Sequence, residues 1–332
     1  MFTVVKFNEN CEMEWDRFVE EKAFNGTFLQ TRRFLNYHEK GKFVDASVMI
    51  YCDKNKIAAV CPACTVVEEG EKRVFYSHKG STFGGLLVDK KYYSAKYMIE
   101  LIKDLEQYLK NDGYEKVYLR ITNDILSQIP TDLMQYSFQY NQFLEFKELG
   151  AYIDFDVYKE DILANIKQGK RTNIHNALKE GLVTREITSE EEIAQFYNIL
   201  CESLQKYSIT PVHTLKELID FKYDRLKNEC GFFGVFYQGN MIAGAMMFYF
   251  NRVFCAHAQY LAAKRILNNL SPATYLYYAM ICEMKRKGFH KISWGIATEN
   301  EGKYLNEGLI ESKESYGSID LVNRTYYKTL RN

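Results

Sequence analysis

The sequence Trp294–Gly317, WGIATENEGKYLNEGLIESKESYG, decides how this chain is read. It continues a short apolar run, Lys291-Ile292-Ser293-Trp294, with the length and composition of a buried strand. A polar turn rich in Glu and Asn follows. Next comes a compact helical segment carrying Tyr304, Leu305 and Leu309, and the stretch closes on Lys313, Tyr316 and Gly317. A strand that runs into a polar loop and a glycine-bearing turn is where α/β sheets hold ligands, at the carboxyl ends of the strands. The plainer reading is an ordinary strand–loop–helix surface.

Working outward, the elements around this stretch alternate between helix and strand. Ser271 predicts a helix cap, with Pro272 at the favoured first helical position and Gly288 past the end. Before it, Phe232–Tyr237, Ile242–Phe250 and Val253–Leu261 read as three strands joined by tight turns. Glu190–Gln205 and Leu215–Lys227 read as helices. The N-terminal half has the same order. Glu14–Lys22 and Arg32–Lys40 read as helices, the second capped by Thr31. Ala46–Tyr51, Ile57–Val67 and Arg73–Tyr76 read as strands. The helix Ser94–Leu109 and the strand Tyr114–Ile121 follow. Local wording repeats too: Asn55-Lys56-Ile57-Ala58-Ala59 parallels Asn240-Met241-Ile242-Ala243-Gly244, and Gly113-Tyr114-Glu115-Lys116 parallels Gly288-Phe289-His290-Lys291. This predicts an internal repeat of one mixed α/β unit.

A chain of 332 residues suits two domains, placed at 1–150 and 151–332. Hydrophobic residues make up 47% and charged residues 26%, the composition of a globular protein. The 43 basic and 43 acidic residues cancel, which argues against DNA as a partner. The N-terminus has no basic region before a long apolar core, and no apolar run reaches the roughly 18 residues a membrane helix needs. A cytoplasmic protein without a membrane span is expected. The 8 cysteines are scattered, mostly in apolar runs, as small buried hydrophobes. Cys61-Pro62-Ala63-Cys64 has redox-motif spacing, but its strand-like flanks make it an unreactive pair. No metal and no tightly bound cofactor is expected.

Several of these runs carry a resemblance. NGTFLQTRRFLNYH, SHKGSTFGG, KRTNIHNALKEG, SPATYLYY and WGIATENEGKYLNEGL with SKESYG resemble the FemABX-type branch of the acyl-CoA N-acyltransferase (GNAT) superfamily, from Asn25 to Lys328. The resemblance implies an α/β (α+β) fold. It would have two tandem GNAT-like domains, each a mixed, mostly antiparallel sheet flanked by helices, with a cleft between them. It also implies transfer of an acyl group to an amine, from acyl-CoA in some members and from charged tRNA onto peptidoglycan precursors in others. The segment that would meet the donor's pyrophosphate reads AAKRILNNLS and carries no glycine.

The candidate residues follow. Lys313 matches the family lysine. As a fixed cation facing the cleft it would stabilise the tetrahedral oxyanion, while its plain reading is a solvated surface lysine. Asn268, Asn269 and Ser271 precede a helix N-terminus and would meet the phosphates of acyl-CoA, the expected co-substrate. Lys170, Arg171 and Lys179 would pair with a diphosphate, or simply form a wet helix face. His78 would bind substrate or act as a base near neutral pH, and Tyr316 would line the acceptor. His257 reads as core. The reading is therefore an acyltransferase acting on a small-molecule amine or a cell-wall precursor. Two alternatives stay open: a charged-tRNA-dependent aminoacyltransferase on peptidoglycan precursors, and a degenerate GNAT-like module that binds a nucleotide sugar or peptide.

Overall fold

A computed structural model describes residues 2–53, 56–70, 72–206, 208–265 and 270–330. The chain forms two compact units, Met1–Glu148 with Val322–Asn332, and Leu149–Leu321. The expected division at 150/151 assigned the last residues to the second domain. They pack with the first, because Thr325–Thr329 pairs antiparallel with Lys116–Arg120 and Tyr326 stacks on Phe138 at 4.5 Å.

In the first unit the strands are β1 (Thr3–Lys6), β2 (Val44–Asp45), β3 (Val48–Asp53), β4 (Lys56–Cys61), β5 (Cys64–Glu68), β6 (Lys72–Ser77), β7 (Leu87–Val88) and β8 (Lys116–Arg120). One four-stranded sheet has the order β1-β3-β4-β7. In a second set, β5 pairs β2 and β6 antiparallel, and β6 pairs β8 in parallel. The run Ile57–Val67, expected as one strand, is broken at Pro62, which has no N–H to give to a ladder. The break lets one run serve two sheets: Cys61 closes β4 and Cys64 opens β5, both buried free thiols whose pKa burial raises.

The helices are α1 (Glu12–Arg17), α2 (Arg32–Leu35), α3 (Ala95–Asn111) and α4 (Asp132–Tyr140). A π-helical turn at Phe18–Lys22 extends α1 over the span expected for one helix. Thr31 caps α2 as expected, its hydroxyl oxygen accepting from the Phe34 amide, but the helix ends at Leu35 rather than Lys40. α3 buries Met98, Leu101, Ile102, Leu105 and Leu109, the stripe visible in the sequence.

The strand β9 (Leu144–Asp154) leads into the second unit. There follow α5 (Gln168–Lys179), β10 (Val183–Glu186), α6 (Glu190–Gln205), α7 (Leu215–Asp220), β11 (Cys230–Tyr237), β12 (Asn240–Phe250), β13 (Cys255–Ala263), α8 (Pro272–Arg286), β14 (Lys291–Ile296), β15 (Thr298–Glu299), β16 (Tyr304–Leu305) and α9 (Glu307–Glu314). The last strand, β17 (Ile319–Thr329), returns to the first unit. Strands β10 to β13 are successive antiparallel neighbours, β13 and β14 are parallel, and β14 pairs antiparallel with the second-unit part of β9. Tyr304 and Leu305, expected in a helix, form β16 and pair with β15. The helix begins only at Glu307, after Asn306 caps it by accepting from the Leu309 amide.

The repeat shows in the element order. Ile57 and Ile242 both lie in the second strand of an antiparallel hairpin. In each unit a long helix then crosses between two parallel strands. Gly113 and Gly288 end those helices at φ 80° and 82°, left-handed values that favour glycine. These are two tandem mixed α/β units, mostly antiparallel with flanking helices. Among the described residues, no helix is long and apolar enough to cross a membrane.

Candidate active site

In the second unit β13 and β14 pair at only three positions, Cys255–Lys291, Ala256–Ile292 and His257–Ser293. β13 then continues to Ala263 along β12, while β14 turns to β9. The register of β14 against β9 shifts between Ser293 and Ile296, which is a bulge. Gly295 sits in it at φ 72°, where a side chain would be strained. Opposite, Gly150 has no room to grow, since a Cβ there would lie 2.6 Å from the Gly295 carbonyl oxygen. Gly150→Ala is therefore expected to destabilise the protein by about 1–3 kcal/mol through overpacking. A denaturant midpoint equal to that of the unsubstituted chain would contradict this contact.

The carbonyls that the bulge turns out of the ladder are taken by Lys313, in the last turn of α9. Its Nζ donates to Gly295 O at 3.0 Å and to Ile296 O at 2.8 Å. The residue is 3% exposed, so it is not a solvated surface lysine. Burial pushes its pKa down from 10.5 to about 8. An ammonium has three protons, and the two carbonyls use two of them.

His257 stands at the last paired position of the fork. Its Nδ1 lies 3.0 Å from Ser293 Oγ, which also accepts from the Gly295 amide. Burial, and then the charge of Lys313, holds the pKa of His257 down to about 4. The residue keeps a partly exposed face. Sequence reasoning placed His257 in the core. The glycine inside strand β14 was the available signal for a bulge beside it.

Lys170 and Tyr316 join the same neighbourhood. Lys170 Nζ donates to Ser312 Oγ at 3.2 Å and lies 5.2 Å from the centre of the Tyr316 ring, and burial lowers its pKa. Tyr316 stacks on Tyr277 at 4.8 Å, and Tyr277 packs on Trp294 at 4.8 Å. The Tyr316 hydroxyl bonds to Thr274 in the first turn of α8, and Thr274 Oγ1 accepts from Ser271 at 2.8 Å. Ser271 thus does not cap α8 with its side chain. That bond leaves the first-turn amides of the helix to other partners. Asn268 and Asn269 lie outside the described residues. Arg171 donates from Nη2 to Gln168 within its own helix, at 2.6 Å, and Lys179 sits in the last turn of that helix. His78 belongs to the first unit. Its Nδ1 accepts from the Gly80 amide at 3.1 Å, and burial pushes its pKa down to about 4, which makes it a weak base at neutral pH. Among the described residues, no group of His, Cys, Asp and Glu is arranged to hold a metal ion.

Residues 164–304 match the family model of the acetyltransferase (GNAT) domain. No curated protein matches the sequence. Among solved structures, the chain is similar to FemX, with TM-score 0.69 and 12% identity over 98% of this chain and 96% of that one. It is similar to L-PGS from Bacillus licheniformis, with TM-score 0.56 and 15% identity over 83% and 82%. A tandem GNAT protein from the clavulanic acid biosynthesis pathway gives TM-score 0.55 and 10% identity over 100% and 99%. Residues 164–304 therefore resemble an acetyltransferase (GNAT) domain, in a chain that shares its fold with FemX and with a tandem GNAT protein.

Proposed function

We propose that the second unit transfers an acyl group from an acyl thioester such as acyl-CoA to a primary amine. The observation that carries this reading is the fork of β13 and β14, with Lys313 seated at the bulge beside it. A strand edge that loses its neighbour offers backbone groups to an extended, amide-bearing donor arm. The first turn of α8 offers amides and a positive dipole end to the donor's phosphates. The amine nitrogen adds to the thioester carbonyl, and the tetrahedral oxyanion collapses to the new amide with expulsion of the thiolate. The amine's proton leaves to water or to that thiolate. Lys313 directs its third proton at the oxyanion and, being charged, is not the proton acceptor. The acceptor is a small-molecule amine or a cell-wall precursor, and a cytoplasmic setting supplies the donor.

Thermal shift separates the donors, since a ligand raises the melting point by mass action. Stabilisation by acetyl-CoA or a longer acyl-CoA supports the reading. Stabilisation only by a UDP-sugar would replace it with a binding module. Acyl transfer only from charged tRNA would make the protein an aminoacyltransferase of the FemABX subtype, the reading that the likeness to the fold of FemX keeps in view.

The pH dependence follows from Lys313. It is charged below about 8, so the rate, corrected for the free-amine fraction of the acceptor, should fall as pH rises through about 8. In Lys313→Arg the limb should move beyond the accessible range, because arginine stays charged. A corrected rate that still climbs at pH of about 10 would exclude the cationic role. The stability effect has the opposite sign. Between about 8 and 10.5 the unfolded chain holds more protons on this residue, so its contribution makes the fold more stable as pH rises through that window.

A further inference from the structure

The first unit contains a cavity of about 520 Å³ whose lining includes Phe7, Glu9, Glu12, Arg32, Phe43 and Asp45. All of these residues belong to the first unit, whereas the acyl-transfer residues above belong to the second. Arg32 is the first residue of α2, and its side chain is 4% exposed. The guanidinium carbon lies 3.6 Å from the centre of the Phe7 ring and 4.4 Å from that of Trp15, so rings cover the group. Nη1 donates to Asp45 Oδ2 at 2.7 Å. Nε and Nη2 are buried and have no hydrogen-bond partner. These two atoms form one edge of the guanidinium, with parallel N–H groups. Burying such donors unmet is costly, and a planar oxyanion with two oxygens fits them.

The rest of the lining selects among oxyanions. Asp45 already balances the charge of Arg32, and the carboxylates of Glu9, Glu12 and Glu39 outnumber the ammonium of Lys40 on the rest of the wall. A simple anion would meet net repulsion there, whereas a ligand carrying its own ammonium would not. Phe43 and His78, edge to face at 5.1 Å, offer an aromatic wall. His78 stays neutral at pH 7, because burial holds its pKa at about 4, and so adds no charge.

We propose that this cavity binds a free α-amino acid, its carboxylate on the Nε and Nη2 edge of Arg32 and its ammonium against Glu9 and Glu12. The proposal does not depend on the acyl-transfer reading. The test is calorimetric titration of the whole chain with the common amino acids, with their decarboxylated amines, with acetate and with inorganic phosphate. At least one amino acid should bind, about tenfold or more tighter than its decarboxylated amine and than acetate. Arg32→Lys should weaken that binding about tenfold, because lysine cannot present two parallel donors. If Arg32→Lys does not fold, the double variant Glu9→Gln/Glu12→Gln decides, since Glu9 is exposed and Glu12 only half-buried. It should weaken the amino acid while leaving the melting point unchanged. The proposal is overturned if no amino acid gives heat up to about 10 mM, if phosphate binds as tightly as any amino acid, or if these substitutions leave the affinity unchanged.

Discussion

A Lys313→Met chain is expected to fold and to transfer acyl groups about a hundredfold or more slowly. Methionine keeps most of the packing of the stem, so the residue's apolar contacts persist. The loss is electrostatic, and it is largest where charge develops. The ground-state carbonyl is neutral and gains little from the ammonium, whereas the oxyanion gains much more. The deficit should therefore fall on kcat, with KM for the donor little changed. Removing the two bonds to Gly295 and Ile296 also has a structural cost of about 1–3 kcal/mol. Lys313→Arg controls for this, since it keeps a cation near the bulge. Turnover by Lys313→Met equal to that of the unsubstituted chain would remove Lys313 from the chemistry and leave it as a support for the bulge.

Trp15→Ala should lower the stability of the first unit by about 3–5 kcal/mol, a large share of the roughly 5–15 kcal/mol of a typical domain. Trp15 has no exposed surface. It meets Phe7 edge to face at 5.2 Å, gives its indole N–H to Gln30 O at 2.8 Å, and covers the Arg32 guanidinium. Its loss leaves a cavity, an unmet carbonyl and a less shielded buried cation at once. A urea midpoint corresponding to a loss below about 1 kcal/mol would mean that the neighbours collapse into the space.

Most helices of the second unit were legible in the sequence, because their determinants are local. Glu190–Gln205 was read with the bounds it has, and Pro272–Arg286 with Pro at its start. Elements defined by remote partners were not. β9 and β17 pair with strands far away in the chain, and nothing within either run announces the partner. Leu215–Lys227, read as one helix, changes at Phe221 to a π-helical turn, where the fully buried Phe221 ring anchors the chain. The site divides in the same way. Lys313, Tyr316 and Lys170 were marked by a motif, and the structure brings them together. His257 acquires its setting from Ser293, 36 residues on, and from the bulge whose Gly295 and Ile296 carbonyls hold Lys313, so its own strand read only as core. His78 was a candidate for its place just before the glycine bend, but its surroundings are those of the first unit's cavity.

The return of β17 to the first unit also sets an order of assembly. On the ribosome, Leu149–Leu321 emerges whole before Val322–Asn332, which includes the segment that pairs with β8. The unit that starts the chain is thus the one whose sheet is completed last. Until then β8 holds its β17-facing edge open, while the inserted unit already has every strand it needs.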